Sequence, residues 1–542
     1  MGARGARATR GPRLARAAHP GGPAMAAPRG RNVLRAPYSG AVAWDAPWAS
    51  REEALAALDS AHAAFGHWGA LPIDERVERV RAGIDAFERQ SEEIARHICE
   101  LVGKPLAAAR GEVESGVAKM RTLCDLAAEA LATERRVDTD AGLEYEVRRV
   151  PKGVIDVVSP WNYPVFVALV AVLPALLSGN AVSLRHATTP LVGEAFAQAF
   201  GGIHDGPGRL LVHLHTDIPT HDWLAVHSDI IAHRVFTGST RGGRHMQRLL
   251  GERAANQALR NPFIQASLEL GGNDAAYVHS DALLPEAVDF IAVAGRLHNT
   301  GQSCCATKRL LVHADVLLPT VERLAATFAG AKAGDPEKVE TSLGPLYGGA
   351  PAAESLFAIV LDAVAHGARV VAGGEDITAL PEAELRAALV RPCGAGTTFA
   401  PTLLLNAPQT CRAMREETFG PVLPVRAVAN WEEAVEAVAD SDFGLTAAVF
   451  TQSDAVFEGF AAACEAGTVY RNWANDVHAR ICWEGLKQAG NGSRGMGLDG
   501  FRGLTHTRSV LVSTRPIKVS AELAAPGPIR GLPAGCLAAG LT

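Results

Sequence analysis

Two stretches of the 542-residue chain carry side chains that could do chemistry together. Asn299-Thr300-Gly301-Gln302-Ser303-Cys304-Cys305 offers a thiol on a Gly-Gln loop, and upstream Leu268-Glu269-Leu270-Gly271-Gly272 offers a carboxylate at the end of an apolar run. A thiol that attacks a carbon and a carboxylate that activates water are the two groups needed to make and then hydrolyse a thioester. Each also has a plainer reading. Adjacent cysteines can be two small buried hydrophobes, Glu269 can be a strand-end carboxylate, and Asn162 an ordinary turn residue. Adjacent cysteines lack the spacing of zinc ligands, so no metal site is expected. Phe236-Thr237-Gly238-Ser239-Thr240, followed by Gly242-Gly243-Arg244, runs from a strand through a Gly/Ser turn into a helix, where free N–H groups and the helix dipole favour a phosphate. It is not GxGxxG, and alone it fits a bare strand-turn-helix equally well.

The elements that must position these groups follow from periodicity. Ser50 with Glu53 reads as a capping box for a helix carrying Leu55, Leu58, Ala61 and Phe65. A second helix follows Pro72, Ser91 caps a third that ends at Gly103-Lys104-Pro105, and a fourth runs from Val113 to Leu131. The period then changes. Leu143, Tyr145 and Val147 alternate with charged residues as an amphipathic strand, and Val154 to Val158 is a mostly apolar run of the kind buried on both faces of a parallel sheet. A turn at Ser159 to Pro164, an apolar helix ending at Gly179-Asn180 and a strand at Ala181 to Leu184 complete a βαβ unit, extended by strands at Leu210 to Leu214 and Val235 to Thr237. After Glu269 a second series begins. It has strands at Ala275 to Val278, Leu310 to His313, Val370-Val371, Pro401 to Leu405, Ala447 to Phe450 and Thr468 to Tyr470, and helices at Ala287 to Leu297, Val321 to Ala331 and Ala352 to Ala365. The strand at Val510 to Ser513 is expected to pair with Tyr145 to Val150. This is an α/β chain with two doubly wound halves meeting at Glu269 and a ligand crevice between them.

Composition sets the outer limits. The length exceeds what one core supports, so two or three domains are expected. With 48% hydrophobic and 20% charged residues and a formal charge of -6, the chain reads as a soluble globular protein without a nucleic-acid surface. Its nine cysteines form no CxxC pair, which suits a reducing compartment. The longest apolar run, Val165 to Leu177, is about 13 residues and contains Pro174, against the ~20 that a membrane helix needs, so no membrane partner is expected. The first 35 residues carry arginines and no acid. They read as a mitochondrial-type transit peptide or as a leader ahead of a start at Met25, which gives a cytoplasmic location or, with a transit peptide, the mitochondrial matrix. Beyond Ile517 the chain is expected to be a loose tail.

Order and company decide among these readings. Pro160-Trp161-Asn162-Tyr163-Pro164, Phe236-Thr237-Gly238-Ser239-Thr240, Leu268-Glu269-Leu270-Gly271-Gly272, Gly301-Gln302-Ser303-Cys304 and Glu416-Glu417-Thr418-Phe419-Gly420-Pro421-Val422 stand in this order. They resemble the turn, phosphate-loop, base, nucleophile and ribose-clamp motifs of the aldehyde dehydrogenase superfamily, from about Arg51 to about Ser513. The resemblance implies two doubly wound α/β domains and a small β oligomerisation arm. The cofactor-binding domain would span 36–137 and 153–268, the catalytic domain 269–470, and the bridging segments 138–152 and 471–517, with leader 1–35 and tail 518–542 outside. It implies that Cys304 attacks an aldehyde, that the Asn162 amide and the Cys304 backbone N–H hold the oxyanion, and that Glu269 activates the water that releases the acid. It implies NAD or NADP as cofactor, held by Pro160, Trp161, Arg185, Thr188, Gly238, Ser239, Leu270, Glu417 and Phe419, and a homodimer or homotetramer.

The chain also departs from the family. The usual Lys-Pro-Ser-Glu ribose motif is Arg185-His186-Ala187-Thr188, which keeps a positive charge but loses the carboxylate that binds two ribose hydroxyls and repels a 2′-phosphate, so NADP is expected to be accepted. The lysine after the base motif is Asn273. Phe166, Leu169 and Ser303 are candidate substrate-funnel residues, and the first two favour a medium-chain or aromatic aldehyde. A catalytically silent relative serving as a binding or structural protein is the alternative that the altered ribose motif allows. A coenzyme A-acylating reductase is disfavoured by Glu269.

Overall fold

Val154–Val158 is buried along its whole length and lies at the centre of a five-stranded parallel sheet. The strand order is Leu211–His213, Ala181–Arg185, Val154–Val158, Ile231–Thr237 and Gln265–Glu269. The computed structural model describes residues 30–492 and 495–515. Helices Pro164–Leu177, Pro190–Phe200, Ile218–His227 and Thr240–Ala255 connect these strands, and the first three carry proline in the opening turn, where a missing N–H costs nothing. The apolar central strand is interrupted by Asp156, which is fully buried, accepts from Ser183 Oγ at 2.8 Å and pairs with the equally buried Arg234 at 2.8 Å, with His221 Nε2 at 3.2 Å. One carboxylate thus ties three neighbouring elements together.

The second sheet has eight strands, in the order Glu375–Asp376, Arg369–Ala372, Thr402–Leu405, Val422–Val428, Arg309–His313, Ala275–Val278, Thr446–Phe450 and Thr468–Arg471. Pairing is parallel from Thr402–Leu405 onward, and the first two junctions are antiparallel. A separate antiparallel sheet joins Thr505–Ser513, Leu143–Pro151 and Glu134–Asp138, with Leu511 opposite Tyr145 as the alternation predicts. Its third strand starts at Glu134, ahead of the 138 boundary drawn from sequence. Among the described residues no helix is long and apolar enough to cross a membrane.

Several elements differ from the sequence expectation. Residues 31–35, expected in the leader, form a strand paired with Val42–Pro47. Five residues with two arginines carry too little alternation to register, yet Asn32 turns inward and donates to the Ala187 carbonyl at 2.9 Å. Residues 1–29 of the leader, residues 516–517 of the second bridging segment and the tail 518–542 lie outside the described residues. The Ser50–Glu53 capping box forms, whereas Ser91 is the first residue of its helix, and its hydroxyl donates to the Glu88 carbonyl instead of capping. The fourth helix starts earlier, at Leu106 after Pro105. The helix expected at Ala287 to Leu297 is an α-helix over Leu284–Phe290 that widens to a π-helix over Ile291–Leu297. Substituting Arg234 by Met leaves Asp156 buried with only His221 and Ser183, a loss that costs about 3–5 kcal/mol when a buried pair is broken. The urea unfolding midpoint followed by circular dichroism should fall accordingly.

Candidate active site

The π-helix delivers the chain into His298–Gly301, a tight turn whose Asn299 (φ 53°), Thr300 (φ 56°) and Gly301 (φ 73°) are all left-handed. π-Helical turns are common at functional sites. Left-handed residues that carry a Cβ cost about 1–3 kcal/mol each and persist only where the surroundings fix them. Here Asn299 Nδ2 donates to the Asn162 carbonyl at 2.9 Å and the Gln302 carbonyl at 3.2 Å, and Thr300 Oγ1 accepts from Gly344 N at 3.1 Å. The fully buried Arg296 donates to the Thr418 carbonyl at 2.9 Å, to Thr418 Oγ1 at 3.0 Å and to the Gly420 carbonyl. A Cβ on Gly301 would lie 2.5 Å from the Gly420 carbonyl, so only glycine lets these two segments meet.

Cys304 and Glu269 line one cavity of about 510 Å³, together with Phe166, Val170, Ser303 and Lys119. Burial raises the Glu269 pKa to about 6, against the opposing pull of Trp483 and Thr237 beside it, whose hydroxyl lies 3.4 Å from Oε2. The Cys304 thiol is pushed well above its usual value by its contact with Cys305, by burial and by the negative charges of Cys305 and Glu269, while Lys308 acts the other way. Ser303 Oγ donates to Asn475 Oδ1 at 2.8 Å. Leu169, expected in the funnel, is instead fully buried in the helix core, because its position on Pro164–Leu177 faces Gly116 rather than the cavity.

Asn162 is buried against the thiol loop, where its Nδ2 donates to the Gln302 carbonyl at 3.3 Å. Its own carbonyl accepts from Lys104 Nζ at 2.7 Å as well as from Asn299. Pro160 and Trp161 follow Ser159, whose N–H is bonded to the Arg185 carbonyl at 3.1 Å. Trp161 stacks on Tyr347 with ring centroids 4.2 Å apart and meets Phe419 edge-on at 5.8 Å.

The residues expected to hold a cofactor come from loops and strand ends of both sheets. Ser239 is the N-cap of Thr240–Ala255, its Oγ accepting from Gly242 N, and Gly238 N donates to the Glu269 carbonyl at 3.0 Å. Leu270 packs against Gly243 of the same helix. Arg185 Nε donates to the Thr216 carbonyl at 3.1 Å, and the Thr188 hydroxyl is buried with no hydrogen-bond partner among the described residues. Glu417 accepts from Gly272 N at 3.0 Å and faces Lys308 Nζ at 3.3 Å, with 23% of its side chain exposed. A helix N-terminus at Ser239, an unpartnered Thr188 hydroxyl and a Glu417 carboxylate that is 23% exposed are the polar groups these positions offer.

Comparison with known proteins gives the family. The sequence profile of the aldehyde dehydrogenase family matches residues 27–510. The chain belongs to that family. It is an NAD(P)-dependent aldehyde dehydrogenase with the family's two-sheet α/β fold. It is 33% identical over 464 residues to succinate semialdehyde dehydrogenase [NAD(P)+] of Escherichia coli (strain K12), covering 82% of this chain and 90% of the relative. It is also 33% identical to 3,6-anhydro-alpha-L-galactose dehydrogenase of Streptomyces coelicolor, over 84% of this chain and 88% of that protein. The crystal structure of lactaldehyde dehydrogenase from Escherichia coli superposes with a TM-score of 0.79 at 29% identity, covering 89% of this chain and 96% of that one.

Sequence reasoning missed Lys104, Glu112, Arg296 and Lys308, all of which fix this site from within the core. Lys308 donates to the Cys304 carbonyl and faces Glu417, yet in sequence it is one cation at the start of an apolar strand. Gly301→Ala introduces both a left-handed Cβ and a backbone clash. It should lower aldehyde turnover at least ~10-fold through misplacement of the thiol, and rapid alkylation of Cys304 should slow with it.

Proposed function

We propose that this aldehyde dehydrogenase works through a covalent thioester on Cys304 that Glu269-activated water hydrolyses. The observation that carries this reading is that the Cys304 thiol and the Glu269 carboxylate line the same cavity. Attack by sulfur on the aldehyde carbon forms the C–S bond and moves the carbonyl pair onto oxygen. The Asn162 amide and the Cys304 N–H receive that charge. When bound, the nicotinamide cofactor supplies the acceptor for the hydride that leaves this carbon as the thioester forms. Glu417 and Phe419 would hold the nicotinamide end, Ser239 the pyrophosphate, and Arg185 and Thr188 the adenosine ribose. Glu269 then takes a proton from water as its oxygen attacks the thioester, and the thiol leaves. Glu269 is what separates this outcome from transfer to coenzyme A.

The reading extends to substrate and cofactor. Several relatives are named for carboxylate-bearing semialdehydes, but the cation in this cavity is already answered. Lys119 is bonded to Asp476 at 2.8 Å and to the Val477 carbonyl at 2.6 Å, and stands 4.2 Å over the Phe166 ring. With that charge neutralised and Phe166, Val167 and Val170 forming the wall, an uncharged apolar aldehyde is the better fit. Thr188 in place of a carboxylate removes the repulsion of a 2′-phosphate, so NADP serves as well as NAD.

Four measurements test these statements. Hexanal or benzaldehyde should show a kcat/KM at least ~10-fold above succinate semialdehyde with either oxidised cofactor, since each misfit in an apolar pocket is worth about 1–3 kcal/mol. The reverse ranking, or exclusion of NADP, removes the corresponding statement. Cys304→Ala should abolish turnover. Glu269→Gln should weaken the first burst of reduced cofactor, because the thiol loses its proton acceptor, and should then stall, leaving an acyl-enzyme visible by mass spectrometry. Because the base is the ionised form and burial raises its pKa to about 6, deacylation should climb from pH 5 to 7 with an apparent pKa near 6 and level off above.

A further inference from the structure

The chemistry above leaves unused a buried ion pair behind Asn162. Lys104 lies in the Gly103–Pro105 turn between helices Ser91–Val102 and Leu106–Ala130, and Glu112 lies on the second of these. Their side chains are 0% and 2% exposed and in direct contact. Lys104 Nζ also donates to the Asn162 carbonyl at 2.7 Å and stands 3.9 Å over the Tyr163 ring. The other oxygen of Glu112 accepts from Val165 N at 3.0 Å and Phe166 N at 3.3 Å, the opening turn of Pro164–Leu177. A carboxylate there also meets the positive end of the helix dipole. The pair therefore grips the segment that carries Asn162 on both sides, at its carbonyl and at the first free N–H groups beyond Pro164.

A buried ion pair is weak evidence for stability, because apolar residues of similar volume often replace one without loss. What these two charges touch is more specific. The Asn162 carbonyl is held twice, by an ammonium and by the Asn299 amide, which fixes the peptide plane from which its side chain departs toward the thiol loop. We propose that Lys104 and Glu112 are positioning residues for Asn162, aiming its amide at the oxygen that becomes negative when the thiol adds to a carbonyl. The proposal rests on the reading of Asn162 as an oxyanion donor. An amide pre-aimed at developing charge is effective because it need not reorient during reaction, and a displacement of about 1 Å at such a group can cost ~100-fold.

The test compares Asn162→Ala, the double variant Lys104→Met/Glu112→Gln, which leaves no lone buried charge, and the triple variant, all in the full chain. Two reactions of Cys304 are followed. Acylation by p-nitrophenyl acetate passes through an oxyanion, and alkylation by iodoacetamide does not. Asn162→Ala should slow acylation ~100-fold or more, the usual effect of removing one such donor. The double variant should slow it ~10-fold with alkylation unchanged, and the triple should be no slower than Asn162→Ala alone. Glu112→Gln by itself, which preserves volume, should shift in the same direction and covers the case in which the double variant fails to fold. The proposal is overturned if the double variant acylates at the wild-type rate, if the triple loses both factors multiplicatively, or if alkylation falls in step with acylation. Unimpaired acylation in Asn162→Ala would instead remove the oxyanion reading itself, and this proposal with it.

Discussion

The structure turns on how short the passage is between its two sheets. Gln265–Glu269 is the edge strand of the first sheet, and Ala275–Val278 lies inside the second. Only Leu270 to Asp274 lie between them, so the carboxylate of Glu269 is committed to the junction. That crossing organises what surrounds it. Gly272 N donates to Glu417, and a Cβ on Gly272 would lie 2.7 Å from the Cys304 carbonyl, so the absence of a side chain lets three motifs converge. The Asp274 carbonyl accepts from Lys308 N at 2.8 Å and Arg309 N at 3.0 Å, which starts the strand that follows the thiol. The base, nucleophile and ribose-clamp motifs are close in space because one five-residue linker leaves no room to separate them.

Sequence reading recovered what repeats locally. Apolar runs such as Val154–Val158, the Ser50–Glu53 cap and the pairing of the terminal strand with Leu143–Pro151 are each specified by neighbours in the chain or by alternation. It failed where the decisive contact is distant. Val422–Val428 escaped notice as a strand because Pro424 lies within it, and a proline normally demotes a run to an edge. Yet this strand sits between Thr402–Leu405 and Arg309–His313 inside the sheet. The five short motifs located Cys304, Glu269 and Glu417, since each motif is contiguous. The charges that hold those motifs in place were not legible, because Arg296 is drawn to Thr418 and Gly420 across the fold, and Lys104 to Asn162.

Buried charge is the common device of the site. Lys104, Arg296, Lys308 and Arg309 are all removed from solvent, and each donates to backbone carbonyls of loops that lack regular structure. A loop in the core carries carbonyls that no sheet or helix satisfies, and an unpaired one costs about as much as a lost hydrogen bond. One guanidinium with five donors can satisfy several such carbonyls at once. This is why the irregular segments here remain fixed while their backbone stays in left-handed conformations.

The same low-dielectric surroundings shape the proton inventory. Burial and the Cys305 contact keep the Cys304 sulfur protonated at neutral pH, and Glu269, with a pKa raised to about 6, is then mostly ionised. The two cannot comfortably both carry negative charge, since each raises the other's cost of ionising in a confined cavity. On the mechanism proposed above, attack by sulfur requires its proton to leave as the C–S bond forms, and the acceptor lining the same cavity is Glu269. That carboxylate must then return the proton to solvent before it can activate water. A group whose pKa lies just below neutrality suits both duties, because it is basic enough to take a proton and acidic enough to release it. An ordinary surface carboxylate would manage the release but would accept poorly, so the burial of Glu269 at the sheet junction is itself part of the chemistry.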